Sequence, residues 1–185
     1  MRKNFGVKPM VYPMPVFIIG TYDEYGNPNA MNAAWGGISE ENEISICISA
    51  DHKTTYNLLA KGAFTVSMAT ADYVKQCDYV GIESGNNTPD KLTRCGLNTV
   101  KSEFVDAPII IELPMAVECI LKSYDPKSCR LVGEIVNVSC DESVMTNGKI
   151  DPDKLRPITY DSANHTYRVI GEIVGKAFSD GLEYK

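Results

Sequence analysis

Pro114-Met-Ala-Val-Glu-Cys-Ile-Leu-Lys-Ser-Tyr124 and Cys129-Arg-Leu-Val-Gly-Glu-Ile-Val-Asn-Val-Ser-Cys140 are two long runs separated only by Asp125-Pro-Lys-Ser128. Runs of this composition read as strands, and so short a connection closes a hairpin. Antiparallel pairing is therefore the starting point. Upstream, Glu43-Ile-Ser-Ile-Cys-Ile-Ser49 alternates with period two, with Ile44, Ile46 and Ile48 on one face and Ser45, Cys47 and Ser49 on the other. Pro15-Val-Phe-Ile-Ile-Gly-Thr-Tyr22 and Ala63-Phe-Thr-Val-Ser-Met68 supply further strands, and Asn29 to Gly37 a weak one. Helical segments are inserted among them: Asp51 to Gly62 with Asp51 or Thr54 as N-cap, Ala71 to Tyr79 stopping at Gly81, and a turn from Lys91 to Cys95 closed by Gly96. Strands with helices inserted, rather than strictly alternating, predict a mainly β fold with α insertions, an antiparallel barrel.

A chain of 185 residues with 44% hydrophobic and 23% charged residues is one globular domain, not a disordered, collagenous or coiled-coil protein. Its net charge of −6 lacks the basic footprint of a nucleic-acid binder and disfavours anionic membranes. The opening MRKNFGVKPMVYPMP has no apolar core of a signal peptide, and no apolar run reaches the ~18 residues that span a bilayer, so a cytoplasmic protein is expected. The first 14 residues read as an arm, with Pro9, Pro13 and no periodicity. The six cysteines show no CxxC spacing; Cys47, Cys119 and Cys140 fall in strand-like runs and read as free, buried thiols.

No P-loop, dinucleotide fingerprint or nucleophile elbow occurs, and His52 and His165 are the only histidines, without metal-ligand spacing. The chemistry concentrates elsewhere. In Ser49-Ala-Asp-His-Lys-Thr-Thr-Tyr56 a strand ends and a helix begins among a lysine and two hydroxyls. Helix starts carry unpaired N–H groups that suit phosphate, and Lys53, Thr54 and Thr55 add a cation and donors. An ordinary capped helix with a surface lysine gives the same pattern. In Asn29-Ala-Met-Asn-Ala-Ala-Trp35 small residues leave backbone open to a flat ring, with Trp35 as a wall; close packing of strands, with Trp35 in the core, also explains it. Gly81 to Lys91 reads either as a lid or as a solvated loop.

Pro15-Val-Phe-Ile-Ile-Gly-Thr, Gly26-Asn-Pro-Asn-Ala-Met-Asn-Ala-Ala-Trp, Ser49 to Thr55, Ser84-Gly85 with Asp90-Lys91, Glu118-Cys119 and Leu131-Val-Gly-Glu134 occur in this order. The ordered set resembles the flavin reductase-like, FMN-binding split-barrel family, flavoredoxin type, over Pro15 to Phe178. The resemblance implies a six-stranded Greek-key split barrel over residues 15–178, between the arm (1–14) and a C-terminal tail (179–185). It implies a homodimer with one FMN per subunit, in preference to FAD, near the interface. It places the flavin ring along Asn29, Ala30, Met31, Asn32, Ala33 and Ala34, with Trp35 at the family's tryptophan position. It places the phosphate on Ser49, Lys53, Thr54 and Thr55, and brings Ser84, Gly85 and Lys91 from the lid; His165 and Tyr167 approach the substrate side. The implied activity is NAD(P)H-dependent flavin reduction with electrons passed onward. Two further readings stand: a non-enzymatic FMN electron carrier reduced by a protein partner, and a barrel that has lost its cofactor.

Overall fold

The computed structural model describes all 185 residues. The strands are β1 (Met14–Pro15), β2 (Phe17–Tyr22), β3 (Pro28–Ala33), β4 (Gly36–Glu40), β5 (Glu43–Cys47), β6 (Ala63–Met68), β7 (Thr99–Lys101), β8 (Pro108–Ile110), β9 (Met115–Asp125), β10 (Arg130–Cys140), β11 (Met145–Thr146), β12 (Lys149–Ile150), β13 (Ile158–Asp161) and β14 (Thr166–Val169). The helices are α1 (Lys53–Lys61), α2 (Val74–Ile82), α3 (Lys91–Arg94) and α4 (Pro152–Leu155). The main sheet has seven strands, one more than expected, in the order β3-β2-β6-β9-β10-β5-β4, and its pairings are antiparallel.

That order dictates the shape. β3 and β4 are the two outermost strands, yet only Ala34 and Trp35 join them. Laid flat, seven strands about 4.8 Å apart would hold the edges about 29 Å from each other, whereas so short a link spans about 10 Å. The sheet must therefore curl until its edges nearly meet, a barrel split between β3 and β4. The extra strand relative to expectation is β4, short and largely exposed, which carries too little hydrophobic signal to be read from sequence.

The curled sheet encloses Phe17, Ile19, Ile44, Ile46, Phe64, Val66, Cys119 and Leu131. A second core, with Ile18, Ala30, Cys77, Val80, Leu92 and Ile110, fills the space on the other side. β2 feeds both, Phe17 and Ile19 one way and Ile18 the other, which is why its sequence is apolar throughout rather than alternating. β5 keeps the expected alternation, with Ile44 and Ile46 buried and Cys47 exposed. Gly133 makes room inside: a Cβ there would come within 2.7 Å of the Phe64 ring.

Three local expectations are corrected. Helix α1 is capped by neither Asp51 nor Thr54; His52 stands at the N-cap without a side-chain bond, while Gly62 does close the helix at φ 66°. Helix α2 runs past Tyr79 and through Gly81 to Ile82 after a 3-10 turn at Ala71–Tyr73. Gly81 is absent from the positive-φ residues, so it is no stop; it is small because a Cβ would lie 2.8 Å from Asn32 Cβ, where α2 crosses β3. All six cysteines are free, but only Cys77 and Cys119 are buried; Cys47 is exposed because it sits on the outer face of β5, and Cys140 is half-buried at the end of β10. The arm is tied to its own chain, with Met14 and Pro15 paired to β13 and the Tyr12 hydroxyl donating to Asp161 Oδ1 at 2.7 Å.

Candidate functional site

β3 is a sheet edge, so one side of its backbone has no strand partner. Its side chains alternate between two faces: Ala30 lies in the core beneath α2, while Asn29, Met31 and Ala33 share the other face, where Ala33 joins the barrel core and Asn29 and Met31 line a cleft. Two asparagines fix the cleft's walls. Asn29 Nδ2 donates to Thr54 Oγ1 at 2.9 Å, tying β3 to the start of α1. Asn32 Nδ2 donates to the Cys77 carbonyl at 3.1 Å, tying β3 to α2. The cleft, about 210 Å³, lies between them and is closed by Val80 to Gly85.

The start of α1 opens into this cleft. Lys53 and Thr54 line it, and their N–H groups meet no acceptor within the chain. Thr54 accepts from Asn29, which leaves its own hydroxyl proton to donate. Lys53 Nζ stands 3.8 Å from Asp23 Oδ2. Asp23 is itself held by N–H donors from Tyr25 (3.0 Å) and Asn27 (2.8 Å) and by Asn27 Nδ2 (3.1 Å). Burial acts to raise the Asp23 pKa, but the hydrogen bonds from Asn27 and Tyr25 and the nearby Lys53 outweigh it and hold the carboxyl below its usual range.

The lid is braced rather than loose. Ser84 O accepts from the N–H groups of Asn87 and Thr88 at 3.0 and 2.9 Å, and Thr88 Oγ1 donates to Glu83 Oε2 at 2.9 Å. Asn86 Nδ2 reaches the Asp51 carbonyl at 3.2 Å. Gly85 presses onto the opposite wall: a Cβ there would collide with Asn29 Oδ1 and approach Lys53 Cγ to 3.3 Å. Lys91 is buried beneath the lid and lines the cleft, its Nζ donating to the carbonyls of Val80 (2.9 Å) and Glu83 (2.7 Å). Burial pushes its ammonium down to about 8, against the opposing pull of Cys95 and Glu83.

Of the residues expected from sequence, Asn29, Met31, Lys53, Thr54, Ser84, Gly85 and Lys91 converge on this one cleft. Others fall outside it. The Thr55 hydroxyl donates to the Ser49 carbonyl at 2.7 Å, so it braces the turn into α1, and Ser49 is exposed beside it. Trp35 is 58% exposed and lines a separate groove with Pro13 and Ile38. Asn32 and Ala34 line an adjoining recess of about 450 Å³ with His165 and Tyr167. There Tyr160 Oη and His165 Nδ1 are 2.9 Å apart, and Tyr167 Oη donates to Asp78 Oδ1 at 2.7 Å. Burial and the Asp78 carboxylate raise the Tyr167 pKa. This recess shares Gly81 and Ile82 with the central cleft, and a third recess of about 350 Å³ shares Asn29, Lys53 and Gly85 with it, so the three run together. His52, Val80, Gly81, Ile82 and Glu83 also line the cleft; Gly81, Ile82 and Glu83 belong to the stretch read as a lid or a solvated loop, while His52 and Val80 carried no signal of their own.

The cleft thus offers hydrogen-bond donors and a cation at the start of α1 and an unpaired strand edge along β3. The flavin reductase like domain model matches residues 10–168. The chain is 38% identical to the flavoredoxin of Desulfovibrio vulgaris (Miyazaki F), covering 98% of this chain and 100% of that one with a TM-score of 0.94. An FMN-binding domain of a flavin reductases-like enzyme from Shewanella baltica OS155 is 20% identical over 88% of each chain, TM-score 0.76, and shares the fold. An uncharacterized protein of Aeropyrum pernix is 28% identical over 111 residues, 59% of this chain, and the match spans only 42% of that protein's length. With most of its length matched by the family model, the chain is a member of the flavin reductase-like family.

Proposed function

We propose that this protein holds FMN in the cleft between β3, α1 and the lid, and that it is a redox flavoprotein. The observation that carries this reading is the pair of free N–H groups at Lys53 and Thr54, opening beside the Lys53 ammonium into a cleft whose other wall is the unpaired edge of β3. Those residues fit the group. A phosphate needs donors and a cation, and the start of α1 offers both. A flat ring needs a backbone it can approach, and the edge strand offers it. When bound, FMN supplies one- and two-electron transfer, and the protein supplies binding, orientation and electrostatics. Lys53 and Thr54 hold the phosphate end, Gly85 lets the lid close on Asn29, and Lys91 fixes the lid to the end of α2. Hydride or electron transfer needs no dedicated acid–base pair.

The activity this arrangement best serves is NAD(P)H:flavin oxidoreduction, with the recess at His165 and Tyr167 open to the reductant. A second reading has its own support: the 38% identity to a flavoredoxin over nearly the whole of both chains favours an electron carrier reduced by a protein partner. Anaerobic mixing of the FMN-loaded protein with NADH or NADPH separates them. Bleaching of the flavin band supports the oxidoreductase; no bleaching with either nucleotide, but bleaching with a reduced redox protein, supports the carrier. A protein that takes up no FMN refutes both.

We further place the protein in the cytoplasm as a homodimer. Six free cysteines suit a reducing compartment, and no helix is long and apolar enough to cross a membrane. The groove at Trp35, Ile38 and Pro13 leaves large apolar side chains uncovered, as a subunit interface would. Sedimentation yielding only a monomer at micromolar concentration refutes the dimer.

A further inference from the structure

The cleft does not end at Lys53. Past Lys53, Asn29 and Gly85 it continues into a recess of about 350 Å³, lined further by Asp23, Asn27, Pro89, Asp90 and Thr93. A ligand whose first phosphate sits at the start of α1 can extend past Lys53 into this recess. Its charges decide what such a ligand meets. Lys53 is the one cation among its lining residues and is shared with the cleft. The others are the carboxylates of Asp23 and Asp90. Asp90 is exposed and paired with Arg94 at 2.9 Å, so its charge is largely cancelled. Asp23 is different: its side chain is only 12% exposed, and its position is set by three hydrogen bonds and by Lys53.

We infer that Asp23 is a specificity-determining residue that ends the flavin site after a single phosphate, admitting the mononucleotide FMN and rejecting dinucleotides such as FAD. This rests on the phosphate reading given above. With one phosphate bound, the Lys53 ammonium lies between it and Asp23, and charges alternate. A second phosphate in the recess would have no cation of its own and would face the fixed Asp23 carboxylate, a like-charge contact that selects against the wrong ligand. The geometry also explains why Asp23 is seated so firmly. A mobile carboxylate would swing away from a diphosphate, whereas one pinned by the Tyr25 and Asn27 N–H groups cannot.

The test is calorimetric titration of the apoprotein with FMN, FAD and riboflavin, in the native chain and in Asp23→Asn. Asparagine retains an Oδ1 acceptor for the Tyr25 and Asn27 N–H groups, so the turn is kept; Asp23→Ser serves if that variant does not fold. The native protein is expected to prefer FMN to FAD strongly. Asp23→Asn frees Lys53 and strengthens both, but FAD by at least about tenfold more, the range of one removed like-charge contact. An unchanged FAD-to-FMN ratio, or a native protein that binds both alike, overturns the inference while leaving the phosphate site intact. FMN binding no tighter than riboflavin instead removes the phosphate from this end of the cleft, and the inference with it.

Discussion

Replacing Lys53 by alanine tests the phosphate site most directly. Its side chain is 31% exposed and its ammonium is already shared with Asp23 at 3.8 Å. Two unit charges about 4 Å apart attract by about 4 kcal/mol at an effective dielectric of about 20. A charge-assisted hydrogen bond, net of desolvation, contributes about 1.5–3 kcal/mol. The smaller range applies, because the ammonium is partly hydrated and partly neutralised. FMN should therefore bind about ten- to a hundredfold more weakly to Lys53→Ala. Riboflavin lacks the phosphate and should bind as before. Stability should scarcely change, since a partly exposed ion pair contributes at most about 1 kcal/mol. The structure adds a refinement: the single substitution leaves Asp23 facing the phosphate unneutralised. The double variant Lys53→Ala/Asp23→Asn should thus recover part of the lost FMN affinity. Titration of both flavins into apoprotein, with thermal melts of each variant, reads all of this. Equal losses for FMN and riboflavin, or no loss for either, would refute the reasoning and leave α1 an ordinary helix start.

Gly85→Ala places a methyl against Asn29 Oδ1 and near Lys53; the lid must lift, so FMN release in stopped-flow should quicken while the melting temperature falls by the equivalent of about 1–3 kcal/mol. The buried Lys91 should give stability an unusual pH profile. Its folded value of about 8 lies below the ordinary 10.5, so between these pH values the unfolded chain holds the extra proton and stability rises with pH. Cys77 and Cys119 oppose it: burial raises their thiols to about 11 and about 12 from 9.0, so the stability they contribute is present below pH 9.0 and is lost above it. Urea denaturation should therefore show stability climbing from pH 7.5 to 8.5 and declining well above 9, and Lys91→Met should abolish the climb. Thiol labelling of the native protein should reach the exposed Cys47 quickly and Cys77 and Cys119 only on unfolding; rapid modification of Cys119 would contradict its place inside the barrel.

What the sequence reveals follows from what each residue must do alone. Period-two alternation exposed β5, and β-branched density exposed β2, β6, β9 and β10, because burial of a strand face is a local demand repeated along it. The strands that escaped notice, β4, β7, β8, β13 and β14, span only three to five residues, too few for a pattern to repeat, and β4, β7 and β14 are mostly exposed as well. The stretch Asn29 to Ala34 admits two readings, open backbone or tight packing, and packing accounts for the buried Ala30 and Ala33. Ala30 packs beneath α2 and Ala33 in the barrel core, on opposite faces of β3, while Asn29 and Met31, on the face of Ala33, reach the cleft. Lys53 and Thr54 were legible because a helix start concentrates unpaired N–H groups by its own geometry. Thr55 looked equivalent, and only the turn from Ser49 decides that its hydroxyl bonds backward. Lys91 read as a lid cation; its burial depends on the carbonyls of Val80 and Glu83, which a lysine's neighbours in sequence do not announce. Asp23 shows the limit most clearly. Within Asp23-Glu-Tyr-Gly-Asn27 it is simply a turn residue, and it performs that role, accepting from Tyr25 and Asn27. The same carboxylate also meets Lys53, thirty positions away in the chain, because the curl of the sheet brings the end of β2 beside the start of α1. Turn chemistry can be read along a chain, but the charge that turn presents to a ligand depends on contacts made only when the sheet closes.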